Sequence, residues 1–218
     1  MSYRTHTRFF DHQIDLYYQW EKKRNSLWVE RGVFSSLALK GGRVLELACG
    51  DGFNAKNFYS LRSESVLVCD FDRDAIRTAI SKNYAPNVQF TLADISTDMP
   101  GEKSGFQNVI WDAAIEHFTE SEIFTIMSNI KFRLSDGGIL SGYTIIEKED
   151  GIKHIHQHEY EFKSKADLLR FLTPYCCNIR VFETIFSDRH NLYFWTSHGV
   201  LPFDSEWTHA VSSCVKKD

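Results

Sequence analysis

Short apolar runs alternate with segments of helical period along the middle of the chain. Residues 43–48 (RVLELA) form an apolar run that ends at glycines and predicts a buried strand. Residues 53–61 follow as a helix with Phe53, Phe58 and Leu61 on its apolar side. Residues 65–70 (SVLVCD) predict a second strand, and Ala75, Ile76, Ala79 and Ile80 mark a helix over 73–84. Strands at 87–92 (NVQFTL) and 106–112 (FQNVIWD) come next. An amphipathic helix over 120–134 closes at Asp136-Gly137-Gly138, and GILSGYTII (138–146) predicts a fifth strand. Strands alternating with helices of about 10–15 residues imply parallel βαβ units.

The last third breaks this rhythm. A helix at 164–173 ends at Thr173-Pro174. Two β-rich stretches, 178–187 and 190–197, are separated only by Asp188-Arg189 and neighbours, which predicts an antiparallel hairpin. The first 40 residues carry Phe9, Phe10, Tyr17, Tyr18, Trp20 and Trp28 and read as one or two helices. They either pack on the flank of the sheet or form a lid, since ligands of open α/β sheets bind at the carboxyl ends of the strands. The expected layout is one domain over 1–218: a helical N-terminal lid (1–40), an α/β core (41–197) and a C-terminal tail (198–218).

Composition narrows the class. The chain has 218 residues, 25 basic against 29 acidic, and a net charge of −4. A protein that lives on the phosphate backbone usually carries a basic surplus, so nucleic acid is not expected as a partner. The five cysteines, Cys49, Cys69, Cys176, Cys177 and Cys214, are odd in number and include no CxxC pair. Neither a disulfide framework nor a zinc knuckle is suggested, and a reducing cytoplasm is the simplest home. The N-terminus lacks a signal-peptide core and no apolar run approaches a membrane span, so no membrane is expected.

The chemistry begins where the first strand meets its glycines. Gly50-x-Gly52-x-x-Ala55 fits a nucleotide-binding fingerprint, and Asp70 ends the next strand, 18 residues beyond Gly52, where a carboxylate can accept ribose hydroxyls. Glu46 lies inside the first strand, and a buried carboxylate is costly unless paired. Asp94 follows the third strand, placed to meet an adenine amine with Ile95 against the ring. Acids after three successive strands repel a pyrophosphate and suit a cationic nucleoside such as S-adenosylmethionine.

With these residues the chain resembles a class I S-adenosylmethionine-dependent methyltransferase. The resemblance spans about residues 43–146. It rests on Glu46-Leu47-Ala48-Cys49-Gly50-Asp51-Gly52, Val68-Cys69-Asp70-Phe71-Asp72, Ala93-Asp94-Ile95, Val109-Ile110-Trp111-Asp112-Ala113-Ala114-Ile115-Glu116-His117, and Arg133-Leu134-Ser135-Asp136-Gly137-Gly138-Ile139-Leu140. It implies a seven-stranded Rossmann-like sheet of order 3-2-1-4-5-7-6, strand 7 antiparallel, with helices on both faces. It also implies S-adenosyl-L-methionine as cofactor, with S-adenosyl-L-homocysteine as product. Glu46, Ala48 and Gly50 would line the methionine end, with Cys49, Asp51 and Gly52 as further cofactor-binding residues of the same motif. Asp70 would hold the ribose, Phe71, Asp94 and Ile95 the adenine, and Trp111 would reach the methionine or the substrate. The family usually has glycine where Ala48 stands.

Methyl transfer from a sulfonium is an in-line displacement that needs mainly position and exclusion of water. A base is needed only where the acceptor must lose a proton, and His117 is the candidate. His154-x-His156-x-His158 would align three imidazoles if extended, but no further ligand sits at fitting spacing and no metal site is assigned. His158 and Tyr160 are candidate substrate contacts in the segment after the fifth strand. The expected acceptor is an oxygen or nitrogen of a small polar metabolite, sugar or secondary-product scaffold, handled by a monomer or homodimer. A nicotinamide-dependent oxidoreductase and a non-catalytic S-adenosylmethionine-binding protein are the alternatives.

Overall fold

The computed structural model describes residues 27–203 except Ser187. Seven strands form one sheet: β1 Arg43–Leu47, β2 Ser65–Asp70, β3 Val88–Leu92, β4 Phe106–Asp112, β5 Leu134–Ile145, β6 Asn178–Ile185 and β7 His190–Ser197. Their order is β3-β2-β1-β4-β5-β7-β6. Strands β1 to β5 pair in parallel, and β7 runs antiparallel to both β5 and β6. The expected sheet order and hairpin are therefore what the chain forms. Val44, Leu45, Leu47, Val109, Ile110 and Trp111 are wholly buried, because parallel central strands are covered on both faces.

Among the described residues four α-helices accompany the sheet: α1 Leu27–Leu37, α2 Arg73–Lys82, α3 Glu120–Arg133 and α4 Lys165–Leu172. Asp72 caps α2 by accepting the Asp74 and Ala75 backbone N–H groups. A capping box of Thr119 and Glu122 starts α3. Its end differs from expectation: the helix stops at Arg133, and β5 begins directly at Leu134 rather than after Gly138. The helix expected over 53–61 is wound as a π-turn at Ala55–Tyr59 followed by a 3-10 turn at Ser60–Arg62.

Helix α1 crosses toward the mouth of the sheet. Phe34 stacks on Tyr193 of β7 with ring centroids 4.3 Å apart, and the Trp195 indole donates to the Phe34 carbonyl. Glu30 accepts hydrogen bonds from Thr184 and Tyr193, both at 2.6 Å. Gly32 lets α1 come close, since a Cβ there would lie 2.4 Å from the Phe58 ring. The aromatic residues Phe9, Phe10, Tyr17, Tyr18 and Trp20 lie outside the described residues, as do the last fifteen of the chain. No helix among the described residues is long and apolar enough to cross a membrane. Cys49, Cys69, Cys176 and Cys177 are all free thiols.

Candidate active site

The carboxyl ends of β1 and β4 border a small cleft beside Arg31 of α1. The turn after β1 bends sharply: Ala48, Gly50 and Gly52 all take positive φ, at 54°, 56° and 71°. Only glycine adopts this region without strain, so Ala48 carries strain. The bend turns the Gly50 backbone N–H to the Asp70 carboxylate at 2.9 Å. The second Asp70 oxygen accepts the Asp72 N–H at 2.8 Å. Burial raises the proton affinity of Asp70 in spite of these two donors.

The cleft is lined by Arg31, Glu46, Asp51, Asn54 and Asp112 with the Ala48-Cys49 turn. Glu46 is 3% exposed, and its Oε2 is buried with no hydrogen-bond partner among the described residues. Burial pushes its carboxyl well above the ordinary range, the charge of Asp112 adds to this, and Arg31 opposes it. Asp51 and Asp70 act on Glu46 in the same raising direction. Arg31 bonds Asp112 through Nε, and the Asn54 amide donates to Asp112 at 3.1 Å. Glu46 thus feels three further acids and the Arg31 guanidinium. A cation entering this cleft would relieve their mutual repulsion, whereas a pyrophosphate would add to it.

The other expected cofactor residues are distributed unevenly. Phe71 is 44% exposed at the end of β2, so its ring can meet a ligand face. Asp94 closes the turn after β3, where its Oδ1 accepts the Ser96 N–H at 2.9 Å and the Ser96 hydroxyl at 2.6 Å. Ile95 is buried in the core beneath that turn. Trp111 is also a core residue, wholly buried with its ring 5.9 Å from Phe118, on the α3 side of the sheet. Successive strand residues face opposite ways, so Asp112 enters the cleft where Trp111 does not.

A second polar cluster lies beyond β4. The 3-10 turn Ile115–His117 places Glu116 and His117, and the segment after β5 adds His158. The Glu116 carbonyl accepts the Glu159 and Tyr160 N–H groups at 2.8 and 3.0 Å, which ties that segment to the turn. The His117 and His158 rings meet edge to face at 5.0 Å. His154 and His158 both engage Glu161, while His156 is exposed, so the alternating histidines do not share one strand face. The segment is looped, with an isolated bridge from Ile146 to Phe162. The Tyr160 hydroxyl donates to Asp167 of α4 at 2.9 Å and accepts from Arg170, which makes it a strut of that helix.

Arg31 escaped sequence reasoning because its partner Asp112 lies 81 residues away. Only the buried acids themselves signalled that a cation was needed. A larger cavity, about 240 Å³, sits at the amino ends of β4 and β5 beside Met127, Tyr175 and Cys176. It shares no lining residue with the smaller cleft and its carboxylates.

Residues 44–138 match the family model of a methyltransferase domain. No curated protein matches the sequence. Among solved structures, DhpI in complex with SAH is 19% identical, with 84% of this chain and 90% of that chain covered at a TM-score of 0.64. The N-methyltransferase NodS of Bradyrhizobium japonicum in complex with S-adenosyl-L-homocysteine is 15% identical, with 85% and 93% covered at 0.63. The cyclase SpnF is 11% identical, with 77% and 80% covered at 0.63. All three have the fold described above, and the cyclase shows that this fold by itself does not fix a reaction.

Proposed function

We propose that this chain, whose residues 44–138 match the model of a methyltransferase domain, is an S-adenosylmethionine-dependent enzyme that transfers a methyl group to an oxygen or nitrogen of a small polar metabolite, sugar or secondary-product scaffold. The observation that carries the reading is the buried Glu46 carboxyl, whose Oε2 has no hydrogen-bond partner among the described residues and which feels the charges of Asp51, Asp70 and Asp112. A ligand bearing a sulfonium and an ammonium supplies the charge that this cleft lacks.

S-adenosylmethionine brings an already activated methyl group, so the protein's part is to bind, orient and exclude water. Glu46 and Asp51 would hold the cationic end, with the Ala48-Cys49-Gly50 turn and Gly52 giving close backbone approach. Asp70 would accept the ribose hydroxyls, which requires it to be ionised. Phe71 would lie on the adenine, and Asp94 would take its amine beside Ile95. Arg31 and α1 would cover the donor as part of an N-terminal lid over residues 1–40. His117 and His158 stand on the acceptor side, and His117 is the group that would accept a departing proton. Four free thiols fit a reducing cytoplasm. No nucleic-acid or membrane partner is proposed, and the working form would be a monomer or homodimer.

The test is turnover. The purified protein, given S-adenosylmethionine and fractionated polar metabolite pools, should release S-adenosylhomocysteine only in the presence of particular fractions. Binding without consumption in every fraction would instead make it a cofactor-binding protein.

A further inference from the structure

We propose that Glu116, His117 and His158 form a site for one divalent transition-metal ion beside the methyl-donor cleft. Their ligand atoms lie within 4.8 Å of one another, and Glu116 and His158 are buried. The His158 Nε2 to Glu116 Oε1 separation is 4.0 Å, too long for a hydrogen bond. Around an ion held tetrahedrally by bonds of about 2.0–2.2 Å the ligand atoms lie roughly 3.3–3.6 Å apart, so these two side chains would draw in by about half an ångström on binding.

Each ligand is oriented by a further group. Glu161 engages His158 through Nδ1, leaving Nε2 on the side of Glu116. The Gln157 carbonyl lies 3.3 Å from His117 Nδ1. The Thr144 hydroxyl donates to Glu116 Oε2 at 3.2 Å. A carboxylate and a carbonyl that fix two imidazoles through Nδ1 are the supports that metal-binding histidines require. A simple histidine–carboxylate pair has no use for two such supports around a 4.0 Å gap. Two imidazoles and one carboxylate suit zinc, iron, cobalt or manganese in preference to magnesium or calcium. Three protein ligands leave room for an acceptor atom.

The role of the site rests on the proposed methyl transfer, and it recasts His117 as a ligand in place of a free base. An acceptor hydroxyl next to the ion gives its proton to solvent more readily. Its oxygen then bonds the methyl carbon as the carbon–sulfur electron pair returns to sulfur. The site therefore favours an oxygen acceptor.

The full chain, stripped with a chelator, is titrated with CoCl₂ and followed by visible absorption. One Co²⁺ per chain is expected, with d–d bands that an equivalent of Zn²⁺ removes. His117→Ala and His158→Ala should each weaken Co²⁺ binding by roughly 100-fold or more, and Glu161→Gln by about 10-fold. Thermal shift with S-adenosylhomocysteine reports that each variant folds and keeps the donor cleft. Absence of stoichiometric Co²⁺ binding, or binding unchanged in these variants, overturns the metal site while leaving the methyltransferase reading intact. Failure of the unaltered protein to bind S-adenosylhomocysteine would strike that reading instead, whatever the Co²⁺ result.

Discussion

The Nε of Arg31 lies 2.9 Å from both carboxylate oxygens of Asp112. Both side chains are buried, at 10% and 4% exposure, so the pair joins α1 to the end of β4 out of water. Removing one partner of such a pair leaves the other charge uncompensated, at a cost of about 3–5 kcal/mol.

Arg31→Met should therefore destabilise the protein by about that amount, a fall in Tm on the order of 10 °C for a chain of this size. Adding Asp112→Asn to the same variant should recover part of the loss, because the buried charge is gone. Urea denaturation of both variants checks this. Equal stability of Arg31→Met and the parent would show that the pair does not hold α1.

Glu46 sets a pH dependence. Its folded-state pKa is raised by burial above the unfolded value. The stability that comes from keeping it neutral is present in full below about pH 4.5 and is lost as pH rises through the folded pKa. The ligand-free protein should thus lose stability with rising pH above about 4.5, and Glu46→Gln should flatten that slope. A cationic ligand selects the ionised form, so binding of S-adenosylmethionine should release protons. Calorimetry in two buffers of different ionisation heat measures that release, and Glu46→Gln should abolish it.

The turn after β1 offers a test of opposite signs. Ala48 sits at φ 54°, where an L-residue costs about 1–2 kcal/mol and glycine pays only its extra chain entropy of about 0.5–1. Ala48→Gly should stabilise by about 0.5 kcal/mol. Gly52→Ala should destabilise by about 1–3 kcal/mol, since its Cβ would meet Ala79 and Phe90 at 3.1 Å under a positive φ. Thermal denaturation of the two variants side by side reads both signs.

Much of this was legible from patterning. The strand bounds 106–112 and 190–197 are those of β4 and β7, because central strands are bounded by turns and buried throughout. Asp70 was legible because a strand followed by a carboxylate is a local signal. The π-turn at Ala55–Tyr59 was not, since a helical face looks alike at either pitch over two turns. The alternating histidines would align only in an extended segment, and Glu161 and the Glu116 carbonyl hold that segment in a loop. Arg31 and the role of Asp112 depend on contacts across the sheet, which no local pattern encodes.

Trp111 separates core from cleft. Its indole N–H is buried without a partner, so Trp111→Phe should cost less than about 1.5 kcal/mol and leave S-adenosylhomocysteine affinity unchanged. A tenfold loss of affinity at unchanged stability, read by calorimetry, would put the ring in the cofactor site.

The most direct test of the central claim is the melting temperature of the protein with S-adenosylmethionine, S-adenosylhomocysteine and NAD⁺ in turn, for the parent and for Asp70→Ala. At about 100 times its Kd a ligand contributes roughly 2.7 kcal/mol, so both adenosyl ligands should raise the parent's Tm by several degrees and NAD⁺ should not. Asp70→Ala should lose the shift. A shift with NAD⁺ alone, or an adenosyl shift that survives Asp70→Ala in full, would contradict a cleft built to hold a cationic nucleoside through these carboxylates.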